Sequence, residues 1–449
     1  MTKSSSCGVG LVGAGVVGGG VAEVLLTRRE LLSKRCGVGI DLVMLADQDR
    51  ERALATGIDA GRVVGDYRAL VENPDVSVVV ELIGGVGVAK DVVMAALEAG
   101  KHVVTANKAL LAEFGSAIFA KAKEKNVIVA FEASVAGGIP LLLSLREGLV
   151  ANRLTSLLGI VNGTCNYILS EMKAKGISFD ECLDEAQRLG FAEAKPSADI
   201  DGKDSGHKLA LLSALGFDTW IDFQQLHIEG IRNINDADIK ITSRLGYTLK
   251  LLGVIRTEPQ PLSAAEGGVG NIGERDKVFL SVHPALLRNE HPMASVNGSL
   301  NAVETFGDVV MESMFYGRGA GRYPTASAVV SDIAAVARAS VFGGAGPAWF
   351  PPEMNAYTLA PMADYRTRYY LRIAVRDQPG VLGLLATTLG HENVSIAEMH
   401  QFENTAGDGS ASVCLFTHEA CEGDLMRALE GVKAMDCLIG EPTLIRIEG

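Results

Sequence analysis

Asp204 and Lys208 stand four residues apart in a stretch dense with acids and lysines, running from Gly190 to Lys208. On a helix that spacing puts both side chains on one face. A carboxylate beside an ammonium in a shared cavity fixes the ammonium and tunes its pKa, which suits a proton donor. An isolated pair of this kind is ordinarily a solvated ion pair. Here Leu209, Leu211, Leu212 and Leu215 follow at once, so the helix is expected to be buried, and a buried lysine needs a reason. Ser178 and Glu181 form a capping box for the preceding helix, Gly190 is expected to end it as a left-handed cap, and Asp201 is expected to cap the helix carrying the pair. Cys165 is a second reactive candidate, as a thiolate nucleophile. No histidine lies near it in sequence, so a small buried thiol is the stronger reading.

Three more stretches carry possible chemistry. Gly13-Ala14-Gly15-Val16-Val17-Gly18 follows the apolar strand Gly8 to Val12 and opens a helical pattern through Leu26, the setting in which G-x-G-x-x-G binds a dinucleotide. Asp47 ends the next strand, Leu42 to Leu45, where an acid bonds the ribose hydroxyls of NAD; Arg50 and Arg52 could instead hold the 2′-phosphate of NADP. NAD is therefore slightly favoured. Thr105-Ala106-Asn107-Lys108 lies at the carboxyl end of the strand His102 to Thr105, where open parallel sheets bind ligands, although Lys108 reads equally as a solvated loop lysine. Glu132 sits in a loop of small residues whose carbonyls could hold a hard cation; a plain glycine-rich turn before a helix at Leu141 is the alternative.

These residues must be held by several domains, since 449 residues exceed one core. The chain is 48% hydrophobic and 21% charged with net charge −13, which argues against nucleic-acid and acidic-membrane partners. Seven scattered cysteines without a C-x-x-C pair suggest reduced thiols in a cytoplasmic protein, with neither disulfides nor a zinc site. Lys3 followed by the apolar run from Cys7 to Ala22 imitates a signal peptide, but its glycine spacing reads better as the nucleotide loop. No other run looks long and uninterrupted enough to span a bilayer. The fold class expected is α/β: a Rossmann-like nucleotide-binding domain over residues 1–150, with strands at Val76 to Leu82 and Asn126 to Ala130 and a helix at Asp91 to Ala99, completed by about 315–342. A mixed α+β domain over 151–314 would carry catalysis. It has strands at Ser156 to Val161, Lys250 to Arg256, Lys277 to Val282 and Ala302 to Phe306, and a turn at Asn162 to Asn166. Gly317 to Gly321 is a second glycine loop, before a helix from Thr325 to Ser340. Gly343 to Pro361 reads as a linker within 343–366. Residues 367–449 spell β-α-β-β-α-β, a ferredoxin-like domain whose first helix puts Leu384, Leu385 and Leu389 on its apolar side. Its turn Asp377-Gln378-Pro379-Gly380 runs into a helix at Val381. Free amides there favour a carboxylate and Asp377 an ammonium, so the turn suits a zwitterionic amino acid, unless the domain only dimerises.

With Gly13-x-Gly15-x-x-Gly18, Thr105-Ala106-Asn107-Lys108, Asn162-Gly163-Thr164-x-Asn166 and Gly190-x-Ala192-Glu193 through Asp199-x-Asp201-Gly202-x-Asp204-x-x-x-Lys208, residues 7 to 340 resemble homoserine dehydrogenase. Asp377-x-Pro379-Gly380-Val381-Leu382 resembles an ACT domain. The resemblance implies reduction of L-aspartate 4-semialdehyde to L-homoserine with NAD(P)H, toward threonine, methionine and isoleucine. It implies Lys208 as proton donor, Asp204 and Asp199 as substrate-binding acids, Glu193 facing the substrate amino group, and Lys108 as a second lysine at the reacting centre. Thr105, Gly190 and Gly319 would border the cofactor. Glu132 with the carbonyls of Val135, Gly137 and Ile139 would form a sodium site, and L-threonine would act as feedback effector at Asp377, Gly380 and Val381. A homo-oligomer, dimer or tetramer, is also implied. Two departures stand out: Lys195 where the family often has an acid, and Cys165 where it usually has threonine. Cys165 keeps an acylating semialdehyde dehydrogenase as the runner-up. A non-catalytic amino-acid sensor is disfavoured by the intact Lys208, Asp204 and Glu193 set.

Overall fold

The computed structural model describes residues 6–258, 276–342, 356–403 and 409–449. Lys3 and residues 343–355 of the expected linker lie outside them. By contact the chain forms two compact units, each discontinuous in sequence. The first comprises Met1–Gly163, Asp204–Leu226 and Leu300–Tyr357, and the second Thr164–Lys203, His227–Ser299 and Thr358–Gly449.

In the first unit, β1 (Ser6–Val12), β2 (Gly39–Ala46), β3 (Val63–Val64), β4 (Val78–Glu81), β5 (His102–Thr105) and β6 (Val129–Ala130) form a parallel sheet in the order β3-β2-β1-β4-β5-β6. Covered on both faces, its strands are mostly apolar, with Val9, Leu11, Val78 and Val80 fully buried. Chain order reverses between β1 and β4, and a crevice opens there at the strands' carboxyl ends. The helix Arg322–Phe342 closes this domain: Val329, Ile333 and Val336 join one core with Val9, Leu11 and Val21. Burying each such side chain stabilises by ~1.5–3 kcal/mol. By length and composition this helix could cross a membrane, which the sequence reading did not anticipate, but half of its most apolar window is buried inside the protein. The same unit holds the antiparallel strands Leu154–Ile160, Leu300–Gly307 and Met311–Arg318, and most of the helix Lys203–Gly216, whose Leu209, Leu211, Leu212 and Leu215 are buried.

The second unit pairs Tyr247–Glu258 antiparallel with Asp276–Arg288. The tail gives strands Arg366–Arg376, Ile396–Glu403, Ser410–Thr417 and Thr443–Ile447 with helices Val381–His391 and Glu422–Lys433, ordered in the sheet as fourth, first, third and second. That is the ferredoxin-like arrangement. Its last strand also pairs parallel with Asp276–Arg288, Ala285 facing Arg446. Arg372 holds the buried Asp238 through two hydrogen bonds of 2.6 and 3.0 Å.

Several local expectations change. Asp201 does not cap the helix at Lys203: its N–H donates to the Ser197 carbonyl, its carboxylate is taken by Arg232, and Gly202, at φ +80°, makes the entry. Asn126 ends the preceding helix in the left-handed region, so the strand shortens to Val129–Ala130. The turn expected at Asn162 to Asn166 is already helical from Gly163. The strand Met311–Arg318 was not anticipated, because its residues are largely exposed on a hairpin edge. Leu384 is 49% exposed, and Val381, Leu385 and Leu389 form the buried side instead. The capping box of Ser178 with Glu181 and the left-handed Gly190, φ +77°, are as expected.

Candidate functional site

β1 delivers the glycine loop to the crevice. Gly13 turns at φ +99°, and a side chain at Gly18 would place its Cβ 1.9 Å from the Gly13 carbonyl oxygen, so helix and loop meet only through glycine. Nothing stands within 4 Å of where a side chain would project from Gly15, leaving its backbone open to a pyrophosphate. Ala14 donates its N–H to Asp47 at 2.6 Å. The other carboxylate oxygen of Asp47 accepts from the Asp49 N–H at 2.8 Å and from Arg52 at 2.7 Å. Burial pushes the Asp47 carboxyl up, but Arg52 and the two amides outweigh it and hold the group below the usual range. Arg50 is committed elsewhere, donating to the carbonyls of Val63 and Ala60. Gly13, Gly15, Asp47, Arg52, Leu82 and Gly84 line a cleft of about 420 Å³, with Val16 exposed beside the loop. A neighbouring cleft of about 280 Å³ is lined by Val17, Glu81, Gly85, Asn107 and Lys108.

The acid and the two lysines do meet. Lys208 Nζ lies 2.7 Å from Asp204 Oδ2 and donates to the Val161 carbonyl at 2.5 Å. Asn162 donates Nδ2 to the same Asp204 oxygen at 2.9 Å. Lys108 reaches Asp204 Oδ1 at 3.2 Å, so it belongs to this cluster and is not a solvated loop lysine. Burial alone would raise the Asp204 carboxyl, but Lys208 and Lys108, with the hydrogen bonds from Lys208 and Asn162, hold it well below the usual carboxylate range. Two ammoniums around one carboxylate leave a net positive centre able to stabilise charge developing on a carbonyl oxygen. Asn162 and the Val161 carbonyl join this cluster only through the fold. Asn162 was accessible in principle, standing just past the end of the strand Leu154–Ile160; a backbone carbonyl leaves no signal in sequence.

The remaining candidates fall as follows. Thr105 is buried and donates its hydroxyl to Glu81. Gly319 tolerates no side chain, since a Cβ would lie 2.1 Å from Asn301. Glu132 is buried and accepts the N–H groups of Leu142 and Leu143 at 2.9 and 2.8 Å, while its own N–H donates to Asp332. Burial pushes its carboxyl up. Val135, Gly137 and Ile139 are buried in the same loop, and the Ile139 carbonyl accepts from the Leu141 N–H. In the second unit, Gly190 and Glu193 are exposed and Asp199 is half-buried. The Cys165 thiol is fully buried and donates to the Asp199 carbonyl at 3.2 Å, which does not suit a thiolate nucleophile. Lys195 is exposed. All seven cysteines are unbridged. The Asp377 turn opens on a cavity of about 430 Å³ lined also by Arg376, Gln378, Gly380, Val381 and Gln401, with Gly380 at φ +92°.

A dinucleotide fold with two lysines gathered on one buried carboxylate in the same unit defines a nicotinamide-dependent oxidoreductase. The profile described as "Homoserine dehydrogenase, NAD binding domain" matches residues 13–132, and that described as "Homoserine dehydrogenase" matches residues 140–334. The chain is 44% identical to the homoserine dehydrogenase of Neisseria gonorrhoeae over 98% of both chains, and 41% identical to that of Pseudomonas aeruginosa over 98% of both. It is also similar to a homoserine dehydrogenase crystal structure from Thiobacillus denitrificans, with TM-score 0.89 and 40% identity over 99% of this chain and 98% of that one. The chain belongs to the homoserine dehydrogenase family, NAD(P)-dependent oxidoreductases acting on a CH–OH group.

Because the folded-state pKa of Asp204 is depressed, its ionised form stabilises the fold above its unfolded value and loses that contribution as pH falls through the folded one. Asp204→Asn should therefore lose melting temperature less steeply than wild type between about pH 4.5 and pH 2.5. Parallel curves for the two proteins in scanning calorimetry would show that the lysines do not hold the carboxylate.

Proposed function

We propose that Lys208, Asp204 and Lys108 carry the reduction of L-aspartate 4-semialdehyde to L-homoserine. The observation that supports this most is the single carboxylate clamped by both ammoniums. The bound nicotinamide would supply the hydride to the aldehyde carbon. Lys208 then gives its proton to the carbonyl oxygen as that oxygen takes up the electron pair, while Asp204 fixes the donor and Lys108 adds positive charge beside it. Glu193 is proposed as the partner of the substrate ammonium and Asp199 as a further substrate-binding acid. Gly13 to Gly18, Thr105, Gly190 and Gly319 are proposed to border the cofactor. In this reading 1–150 with about 315–342 bind the cofactor, 151–314 the substrate and a second subunit, and 367–449 regulate. Exposed Val309, Val310, Met311 and Tyr316 support a dimer or tetramer.

A sodium ion is proposed at Glu132 with the carbonyls of Val135, Gly137 and Ile139. A buried carboxylate among closely packed small residues supports it, since each oxygen keeps a lone pair beyond the one its amide uses. For the tail we propose an ACT-type regulatory domain that takes L-threonine: the Asp377 cavity offers Arg376 for a carboxylate and Asp377 for an ammonium.

Lys208→Ala should lower kcat by ~10²–10⁴-fold, followed as nicotinamide absorbance, while NADH binding stays near wild type. Near-normal turnover by that variant would sink the mechanism. NAD(H) should serve at least as well as NADP(H), since an acid at Asp47, at the end of β2 beside the glycine loop, would repel a 2′-phosphate. Asp47→Ser should shift the ratio of kcat/KM values toward NADP, since Arg52 is then released; a wild type that strongly prefers NADP would mean that Arg52 already serves the phosphate. Threonine should reduce activity several-fold, corresponding to a coupling of ~1–3 kcal/mol, and Asp377→Ala should raise the concentration that half-inhibits. Truncation at Tyr365 would not isolate this response, because the tail's last strand pairs with Asp276–Arg288 and Tyr365 packs on Phe279. An enzyme indifferent to threonine would show that the tail does not regulate through it.

A further inference from the structure

Glu81 ends β4 with its side chain fully buried, and no lysine, arginine or histidine among the described residues pairs with it. Its charge is met by neutral donors alone. One oxygen accepts the N–H groups of Ile83 and Gly84 at 2.9 and 3.3 Å, and the other accepts the Thr105 hydroxyl at 2.7 Å. Burying a carboxylate without a cation is unfavourable, and an apolar side chain would fill the same space without that cost. Glu81 must therefore supply something that packing does not.

The hydrogen bonds beyond it show what that is. Because the Thr105 hydroxyl donates to Glu81, its oxygen is left to accept the Asn107 N–H, which it does at 3.0 Å. Asn107 donates Nδ2 to the Gly85 carbonyl at 2.6 Å and accepts the Leu110 N–H with its other side-chain atom, capping the helix Lys108–Lys125. Lys108 is the first residue of that helix and stands 3.2 Å from Asp204. Gly84 and Gly85, both in the left-handed region at φ +72° and +69°, shape the opposite wall. Two turns, Leu82 to Gly85 and Thr105 to Lys108, are thus clasped around one buried carboxylate, and both line the cleft of about 280 Å³.

We infer that Glu81 is a positioning residue for the reaction: acting through Thr105 and Asn107, it sets where the Lys108 ammonium stands against Asp204. The inference rests on the assignment of Lys108 to the reacting centre. Glu81→Gln keeps the size of the side chain but removes the acceptor that faces the Thr105 hydroxyl. Turnover should fall roughly 10- to 100-fold through misplacement of the lysine, while KM for both substrates stays within about threefold. In a Lys108→Met background the same change should cost nothing further. Circular dichroism melting establishes that the variants are folded, and Glu81→Asp, which retains the charge but shortens the reach to Thr105, goes through the same cycle should the glutamine variant not fold. Wild-type turnover of the folded Glu81 variant beside an impaired Lys108→Met overturns the inference, as do losses that add in the double variant. Full turnover by Lys108→Met alone removes the assignment of Lys108 instead.

Discussion

The cluster of Lys108, Asp204 and Lys208 depends on one buried carboxylate. Asp204 would be unstable as an anion in that position by itself, and two ammoniums and an amide keep it ionised. The dependence is mutual. A lysine that is 12% exposed needs an acceptor close by, and Asp204 with the Val161 carbonyl gives Lys208 two. In its proposed role as proton donor, Lys208, held from both sides, would have little orientational freedom left to lose when a substrate arrives.

The cofactor side is organised by backbone. Glycine at 13 and 18 lets a helix start against the loop that precedes it, and the helix Arg322–Phe342 packs on the same domain from far along the sequence. Close approach recurs there: a side chain at Gly20 would stand 3.0 Å from Arg322. The Asp47 carboxylate joins these parts, tying the loop amide of Ala14 to the end of β2 while Arg52 screens its charge. One residue thus supports the loop and, in the proposed reading, bears on which cofactor fits.

Sequence patterns that rest on local physics were readable. The glycine motif, the capping box at Ser178, the i,i+4 pair of Asp204 with Lys208 and the largely apolar strands follow from steric and periodic rules within a few residues. Where expectation and structure parted, a contact distant in sequence intervened. Asp201 has the side chain of a helix cap, but Arg232 claims it. Leu384 fits an apolar stripe, but the side of the helix that meets the sheet is the one carrying Val381, Leu385 and Leu389.

From its residues alone this chain was legible as a dinucleotide-binding oxidoreductase with a lysine and an acid on one helical face and a β-α-β-β-α-β tail, since short-range spacing decides each of these. Only the tertiary structure brought Lys108 to Asp204, 96 positions apart in sequence (204 − 108), and set Asn162, the Val161 carbonyl and Glu81 around them. The reason is physical: hydrogen bonds between buried polar groups are specified by where strands and helices end in space, and no periodicity in the sequence records that.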